Sequence, residues 1–357
     1  MKTLLLGDLS PTPETAPYFK EKNIAELFGN TASLFKGKDF AIVNLECALT
    51  DHDGDIKKFG PALKAPRETA EVMKSLGVSC CGLSNNHIFD YGIKGARDTI
   101  SALDAVSIDH VGFGDNYEDS RKNYIYEKNG EKICVIAVCE HEYSYALPDR
   151  MGSRPYDEYD TIEDIRSAKS EADRVIVLYH GGKEMCRYPS PRLMKLCRAM
   201  ARNGADVVLC QHSHCIGAYE KYEGCHILYG QGNFHFGKES NDLWDTSLAV
   251  EYDTTSHEIS FTLLEAMEIG IRFAPDKDNI LAQFDERNKS LKNGEWKKGW
   301  HDFCLSKKDR YVKVIADAAL ETSSEKENAK FAHYLDCEAH TDVWRELFPT
   351  YNWTNEK

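Results

Sequence analysis

Residues 78–92 of the chain read Val-Ser-Cys-Cys-Gly-Leu-Ser-Asn-Asn-His-Ile-Phe-Asp-Tyr-Gly. The run over 78–83 is short and apolar, which is typical of a buried strand. It ends at Asn85, Asn86 and His87, and Asp90 follows shortly after. Because ligands bind beyond the carboxyl ends of strands in open α/β sheets, this stretch predicts a functional site at a strand end.

Other short apolar runs along the chain end in the same kind of polar side chain. They cover residues 3–6, 40–45, 174–179, 206–209 and 225–229. The polar residues that follow them are Asp8, Glu46, His180, His212, His214, Asn233 and His235. Each of these residues alone is more often structural, for example in a turn. Together they predict one rim of oxygen and imidazole donors.

Segments with helical periodicity alternate with these runs and with a further run at 132–138. They lie at 65–76, 96–105, 162–173 and 191–203. This alternation predicts an α/β layered domain whose helices cover a sheet. The runs at 247–252 and 258–265 predict a late antiparallel pair. After residue 270 the sequence becomes rich in charged residues and looks helical. We therefore predict a domain over residues 1–270 and a helical C-terminal extension over 271–357.

The composition favours a soluble globular protein. The chain has 357 residues, with 58 acidic and 44 basic side chains and a net charge of −14. An acidic surface argues against nucleic acid as a partner. No run of apolar residues is long enough to cross a membrane, and the N-terminus lacks a secretory pattern. The twelve cysteines contain no C-x-x-C pair, so we expect reduced, buried thiols in the cytoplasm.

The predicted rim favours a metal site over a purely structural explanation, under which no metal would bind. Mixed imidazole and carboxylate ligands suit Mn, Fe or Zn, and a carboxylate such as Glu46 can bridge two divalent ions. Such a pair lowers the pKa of a bound water and neutralises phosphoryl charge. His87, oriented by Asp90, is then the candidate general acid. Lys183 and Arg187 either bind an anionic substrate or belong to a solvated helix face.

The ordered motifs resemble those of the CapA family, named for poly-γ-glutamate capsule biosynthesis. They are Gly-Asp at 7–8, Asn-Leu-Glu at 44–46, Asn-Asn-His-x-x-Asp-Tyr-Gly at 85–92, His-x-Gly-x-Glu at 180–184, His-x-His at 212–214 and Gly-Asn-Phe at 232–234. This family is similar to the calcineurin-like metallophosphoesterases. The resemblance therefore implies a two-sheet αββα sandwich over roughly residues 1–250, followed by the helical extension.

The resemblance also implies roles for individual residues. Asp8, Glu46 and His214 would bind one ion, and Glu46, Asn86, His180 and His212 the other. His87 would take the general-acid position. Apart from the resemblance, we predict that Glu184 orients His180, and that Asn233 and His235 bind substrate or support the ligands. Metallophosphoesterases usually have Asp-x-His at the first motif, whereas this chain has Asp8-Leu9-Ser10. One ion would therefore lack a usual imidazole ligand.

Two functions remain open from the sequence. The first is a metal-dependent phosphoesterase-type hydrolase that acts on an anionic small molecule or polymer fragment. The second is a non-hydrolytic, metal-binding accessory subunit of a polymer-biosynthesis system, working beside a polymer synthase. The Asn86-His87 and His212-x-His214 motifs favour the hydrolase. The missing first-motif imidazole and the tryptophan-rich extension favour the accessory subunit.

Overall fold

The computed structural model describes residues 1–140, 142–275, 277–320 and 322–349. The predicted extension runs to residue 357, and its residues 276, 321 and 350–357 lie outside this described part. The strands are β1 (Lys2–Leu9), β2 (Phe40–Leu45), β3 (Ala48–Leu49), β4 (Lys64–Ala65), β5 (Cys80–Gly82), β6 (Asp109–Val111), β7 (Phe113–Gly114), β8 (Tyr124–Lys128), β9 (Glu131–Cys139), β10 (Gly152–Ser153), β11 (Arg174–His180), β12 (Val207–Gln211), β13 (Tyr219–Tyr222), β14 (Cys225–Leu228), β15 (Asn233–His235), β16 (Thr246–Asp253), β17 (Glu258–Ala266) and β18 (Ile271–Phe273).

Besides the 3₁₀ helices Gly29–Phe35 and Glu142–Ser144, the chain forms α-helices. They are α1 (Ala16–Lys20), α2 (Ile24–Phe28), α3 (Thr69–Leu76), α4 (Gly92–Ala105), α5 (Tyr117–Ser120), α6 (Glu158–Glu171), α7 (Pro191–Arg202), α8 (Lys277–Asn293), α9 (Trp296–Ala318), α10 (Glu325–Asp336) and α11 (Glu338–Leu347). Among the described residues, none of these helices combines the length and apolar character needed to cross a bilayer.

Two large sheets lie face to face and form the centre of the molecule. The first has the strand order β18-β17-β16-β1-β2-β5-β6, with β15 also paired to β1. The second has the order β13-β14-β12-β11-β9-β8. Strands β1, β2, β5 and β6 run parallel, as do β9, β11, β12 and β14. Parallel strands bring several carboxyl ends to one edge of each sheet.

The alternation of side chains along each strand separates three apolar layers. Leu4 and Leu6 of β1 face the helices on the outside of the first sheet, whereas Leu5 faces the second sheet. On the second sheet, Val135 faces inward and Ile136 packs toward α6 and α7. Burying one such side chain contributes about 1.5–3 kcal/mol. The layers are therefore helix, sheet, sheet and helix, which confirms the predicted αββα sandwich.

The helical C-terminus is also confirmed, because α8 to α11 occupy most of the described residues after 276. Strand β18 lies just past residue 270 and pairs with β17. Phe284 of α8 packs in the layer between the two sheets. Leu291 and Trp296 join the layer that covers the second sheet. The extension thus packs directly on both sheets.

Candidate metal centre

The candidate ligands come from the carboxyl ends of strands in both sheets. Asp8 lies near the end of β1, and its register partner on the neighbouring strand β2 is Asn44. His180 is the last residue of β11, where it pairs with Gln211 of β12. Since Asn44 and His180 belong to different sheets yet contact each other, the two sheets meet at this edge.

The amide of Asn44 holds this meeting point in place. Its Nδ2 group donates to Asp8 Oδ1 at 2.7 Å and lies 3.1 Å from His180 Nδ1. Asn85 in turn donates to Asn44 Oδ1 at 3.2 Å. Such contacts fix the orientation of metal ligands. Asn44 was not among the predicted site residues, although its place just before Glu46 was a usable signal.

One group of ligand atoms converges around His180. Asp8, Glu46 and His180 each offer an atom within 4.8 Å of the others. His180 Nε2 lies 2.8 Å from Asn86 Oδ1 and 3.3 Å from Glu46 Oε1. All four of these residues were predicted ligands, and the structure brings them together.

A second group contains Glu46, His212 and His214, whose ligand atoms also lie within 4.8 Å of one another. The backbone N–H of His212 donates to Asp8 Oδ2 at 3.0 Å, and His214 Nδ1 lies 3.6 Å from the same oxygen. His212 and His214 have φ values of 77° and 51°. Residues other than glycine rarely adopt such values, and those that do cluster at functional sites.

Glu46 belongs to both groups and is the most unusual residue of the centre. Its side chain is fully buried, and neither carboxylate oxygen accepts a hydrogen bond from the described residues. Burial raises the pKa of Glu46. Burial, with the nearby Glu46 carboxylate, also raises the pKa of Asp8 to about 6. Two buried carboxylates at this spacing are costly unless a cation compensates them.

The histidines are suited to bind such a cation. Burial lowers the pKa of His180 to about 4, so its imidazole is neutral near pH 7 and able to act as a ligand. Burial opposes protonation of His214, but the Glu46 and Asp8 carboxylates together raise its pKa. An oxygen and imidazole set of this kind suits Mn, Fe or Zn. The residues present therefore fit divalent transition-metal ions.

His87 lies beside the ligands in a separate hydrogen-bonded group. His87 Nδ1 is 2.7 Å from Asp90 Oδ2, and Lys58 Nζ is 3.2 Å from the same ring nitrogen. Lys58 also forms an ion pair with Asp90, and these two side chains are 4% and 0% exposed. Burial and then the Lys58 ammonium lower the pKa of His87. Lys58 was not among the predicted site residues, because nothing local to the 57–60 segment indicates its contacts.

Of the other predicted residues, Asn233 contacts a candidate ligand, whereas Lys183 and Arg187 contact other side chains. Asn233 supports the centre, since its Oδ1 lies 2.8 Å from His214 Nδ1. Lys183 is 11% exposed and lies 3.9 Å from Glu184, which is 51% exposed. Arg187 instead donates to Gln283 of α8 at 3.2 Å and lines a neighbouring cavity of about 1140 Å³.

His235 lies among aromatic rings rather than among the candidate ligands. Its ring centroid is 5.0 Å from that of Phe19 and 5.4 Å from that of Phe28. The strand-end position alone did not show this, because His235 is two residues after Asn233 and would share its face in a regular strand. The register of β15 on β1 instead shifts between Asp8 and Leu9. Trp244 was not among the predicted site residues, although its ring centroid lies 4.5 Å from that of the candidate ligand His214.

Several known proteins are similar in sequence to this chain. The family model for bacterial capsule synthesis proteins, PGA_cap, matches residues 2–238. The capsule biosynthesis protein CapA of Bacillus anthracis is 31% identical over 238 residues, which cover 63% of this chain and 57% of that protein. The PGA biosynthesis protein CapA of Bacillus subtilis is 29% identical over 252 residues, covering 69% of this chain and 66% of that protein. The chain thus spans less than two thirds of the length of these relatives.

Solved structures that superpose on this chain include a hypothetical protein from Thermus thermophilus. It superposes with a TM-score of 0.47 and 17% identity, over 75% of this chain and 100% of that chain. A putative 5'-nucleotidase from Staphylococcus aureus superposes with a TM-score of 0.45 and 14% identity, over 80% of this chain and 58% of that chain. The predicted resemblance is confirmed by the family match, and the chain belongs to the bacterial capsule synthesis protein family PGA_cap.

Proposed function

We propose that this chain is a metal-dependent phosphoesterase-type hydrolase with a binuclear centre. The residues that would hold the two divalent ions of Mn, Fe or Zn are Asp8, Glu46, Asn86, His180, His212 and His214. The observation that carries this proposal is Glu46, a buried carboxylate without hydrogen-bond donors among the described residues that is shared by two groups of ligand atoms. A carboxylate in that position is suited to bridge two ions.

The chain's own residues would then support hydrolysis of a phosphate ester. Ions bound at the centre would lower the pKa of a water molecule and offset the charge of a phosphoryl group. Asp90 holds one ring nitrogen of His87, which leaves the other to protonate the departing alcohol. The Lys58 ammonium, buried beside His87, would favour an anionic group there. Lys183 would add a second positive charge near the centre.

The substrate would be an anionic small molecule or a fragment of an anionic polymer. Two relatives are named for capsule biosynthesis and for PGA biosynthesis. From these names we propose that the chain has a role in capsule or poly-γ-glutamate biosynthesis. The expected partner is a polymer synthase, and we expect no binding of nucleic acid. We also propose residues 1–270 as the catalytic domain and 271–357 as its extension. Because all twelve cysteines are buried thiols, we expect a reducing, cytoplasmic location.

The test is hydrolysis of an aryl phosphate by protein reconstituted with Mn, Fe or Zn. We expect turnover that falls at least about 100-fold in His87→Asn, since general acid catalysis contributes about 10²–10⁴-fold. His110→Asn, on the edge strand β6, is the matched control and should retain activity. Equal activity in His87→Asn and the unaltered protein would contradict the general-acid assignment. No turnover with any of the three metals would contradict the hydrolase.

A second candidate function is a metal-binding accessory subunit without hydrolytic activity. The observation that favours it is Ser10, which is buried where metallophosphoesterases usually have a metal-binding imidazole. A relative from Mycobacterium tuberculosis, 26% identical over 251 residues, is named a probable polyglutamine synthesis accessory protein. Bound metal without turnover, together with co-purification with a polymer synthase, would support this function over the first.

A further inference from the structure

The C-terminal extension contains another group of metal-ligand side chains, on helices rather than at strand ends. His333, Cys337 and His340 each offer one ligand atom, and these atoms lie within 4.8 Å of one another. Cys337 is 1% exposed and His340 is 6% exposed. We infer that these three residues form a zinc site that is separate from the binuclear centre.

The local fold explains how the three side chains come together. The backbone N–H of Cys337 donates to the His333 carbonyl at 3.0 Å. His333 on α10 and Cys337 directly after its last residue therefore lie one helical turn apart. At Cys337 the backbone becomes extended, with a ψ of 124°, and α11 begins at the next residue. The N–H of His340 then donates to the Cys337 carbonyl at 3.0 Å. The change of direction brings His340 back toward His333.

The chemistry of the three ligands favours zinc over magnesium or calcium. A thiolate with two imidazoles is a soft donor set, which suits zinc and not the hard oxygen-binding cations. Cys337 stands at the N-terminus of α11, where the helix dipole stabilises a thiolate. Ligands about 2.0–2.3 Å from a tetrahedral ion lie about 3.5 Å apart. Since the ligand atoms here lie within 4.8 Å of one another, they need to approach by no more than about 1.3 Å. The fourth position would be open to water.

Neighbouring aromatic side chains orient the ligands. The Tyr311 hydroxyl lies 2.6 Å from His340 Nδ1, a contact of the kind that fixes the orientation of metal-binding imidazoles. The Tyr334 ring stacks on His340 with centroids 3.8 Å apart. His340 is therefore held in one position before any ion arrives.

The zinc site would also connect the extension to the segment that carries Lys58. The His333 ring stacks against Tyr143, with centroids 5.6 Å apart, and lies 5.5 Å from the Phe59 ring. Phe59 N–H donates to the Tyr143 hydroxyl at 3.2 Å, and Lys58 precedes it. An ion that fixes His333 would thus stabilise the loop beside His87. This link to catalysis depends on the proposed function, whereas the zinc site itself does not.

Cobalt provides the test, because a thiolate bound to Co²⁺ gives a charge-transfer absorption in the near ultraviolet. The full chain, prepared without metal-affinity resin and stripped with chelator, is titrated with Co²⁺ and then with Zn²⁺. We expect a thiolate band that zinc removes. The proposed ligands of the binuclear centre include no cysteine, so Glu46→Gln should keep the band. This separates the present inference from the proposed function.

Two variants should abolish the band, and one should not. Cys337→Ser removes the thiolate, and His333→Gln removes the partly exposed imidazole ligand. Cys304→Ser is the matched control, because Cys304 is buried in the apolar cluster that contains Tyr311 and Tyr334 but is not in the ligand group. Absence of the band in the folded, unaltered protein would overturn the zinc site. Its persistence in Cys337→Ser, or in His333→Gln, would do the same.

Discussion

Two buried glutamates illustrate how differently one residue type can be used. Glu46 is fully buried without a hydrogen-bond donor among the described residues. Glu140 is equally buried, but it accepts hydrogen bonds from the Tyr179 hydroxyl, from Arg192 and from the backbone N–H of Gly182. A paired buried carboxylate stabilises its surroundings, whereas an unpaired one costs free energy unless a cation binds.

Glu46→Gln should therefore have opposite effects on metal binding and on stability. We expect the variant to lose both ions and, in chelator, to be more stable than the unaltered protein by about 1 kcal/mol or more, because a buried negative charge has been removed. Elemental analysis and urea unfolding in chelator measure the two effects.

Glu140→Gln is the matched control, and we expect it to lose about 2–4 kcal/mol of unfolding free energy, since three donors lose a charged acceptor. Its metal content should be retained. If Glu46→Gln were destabilising in chelator by a similar amount, Glu46 would be a structural residue rather than a metal ligand.

His235 allows a prediction of how stability depends on pH. Burial lowers the pKa of His235 to about 4 from its usual value of 6.5. The unfolded chain therefore binds a proton that the folded chain excludes. The contribution of this residue to the free energy of unfolding is fully present above pH 6.5. It is lost as the pH falls toward 4, and the total loss is about 3 kcal/mol.

We expect His235→Phe, which keeps an aromatic ring beside Phe19 and Phe28, to reduce this acid destabilisation. The measurement is urea unfolding at pH 7 and at pH 4.5 for both proteins. The difference between the two pH values should be smaller in the variant by about 2 kcal/mol or more. An equal loss in both proteins would mean that His235 does not titrate in this range.

Residue-level prediction succeeded where a residue's position follows from its own strand. Asp8, Glu46, His180 and His214 follow apolar runs, so the sequence places them at one rim. Lys58 has no such signal, because its contact with Asp90 depends on how a long loop crosses the sheet edge. Contacts of that kind follow from tertiary packing, which periodicity does not encode.

At the scale of elements, the rim depends on a close approach between β1 and the segment before β15. A Cβ atom on Gly7 would lie 2.0 Å from the carbonyl oxygen of Gly232. Only glycine allows these two backbones to lie so near each other. Asp8 follows Gly7 directly within β1, so the position of this candidate ligand depends on that spacing.

We expect Gly7→Ala to push the two backbones apart, to cost about 2–3 kcal/mol and to reduce metal binding. Gly130→Ala is the control, because its Cβ meets no atom within 4 Å and its φ is +81°. It should cost about 1–2 kcal/mol through backbone strain alone and leave the metal content unchanged. Urea unfolding and elemental analysis compare the two. Full metal content in Gly7→Ala would show that Asp8 tolerates the displacement.

The main elements were predictable because their apolar periodicity is strong, and their boundaries were less so. Helix α3 begins at Thr69 rather than at 65, because Lys64–Ala65 forms the short strand β4, and Pro66 follows it. Helix α4 begins at Gly92, earlier than the predicted 96. The two-residue strands β3, β4, β7 and β10 have no periodicity at all, and their pairing depends on distant partners.

The whole molecule is held together by packing between the extension and the sandwich. Phe284 lies between the sheets, and Trp296 joins the layer over the second sheet. Asp342 of α11 is 7% exposed and accepts hydrogen bonds from Ser190 at 2.6 Å and from Arg192 at 3.0 Å. These contacts join the extension to the segment that follows His180, a candidate metal ligand.

This packing predicts that the whole chain unfolds in one transition. Far-ultraviolet circular dichroism and the fluorescence of Trp296, Trp300 and Trp344 should change together in urea. Asp342→Ala should shift both signals to lower urea, at a cost of about 2–3 kcal/mol, because it removes buried hydrogen bonds. Asp317→Ala, which removes an exposed pair with Lys313, should cost less than about 1 kcal/mol. If fluorescence in Asp342→Ala instead changed at lower urea than circular dichroism, the extension would unfold as an independent unit. That result would contradict its proposed connection to the candidate metal centre.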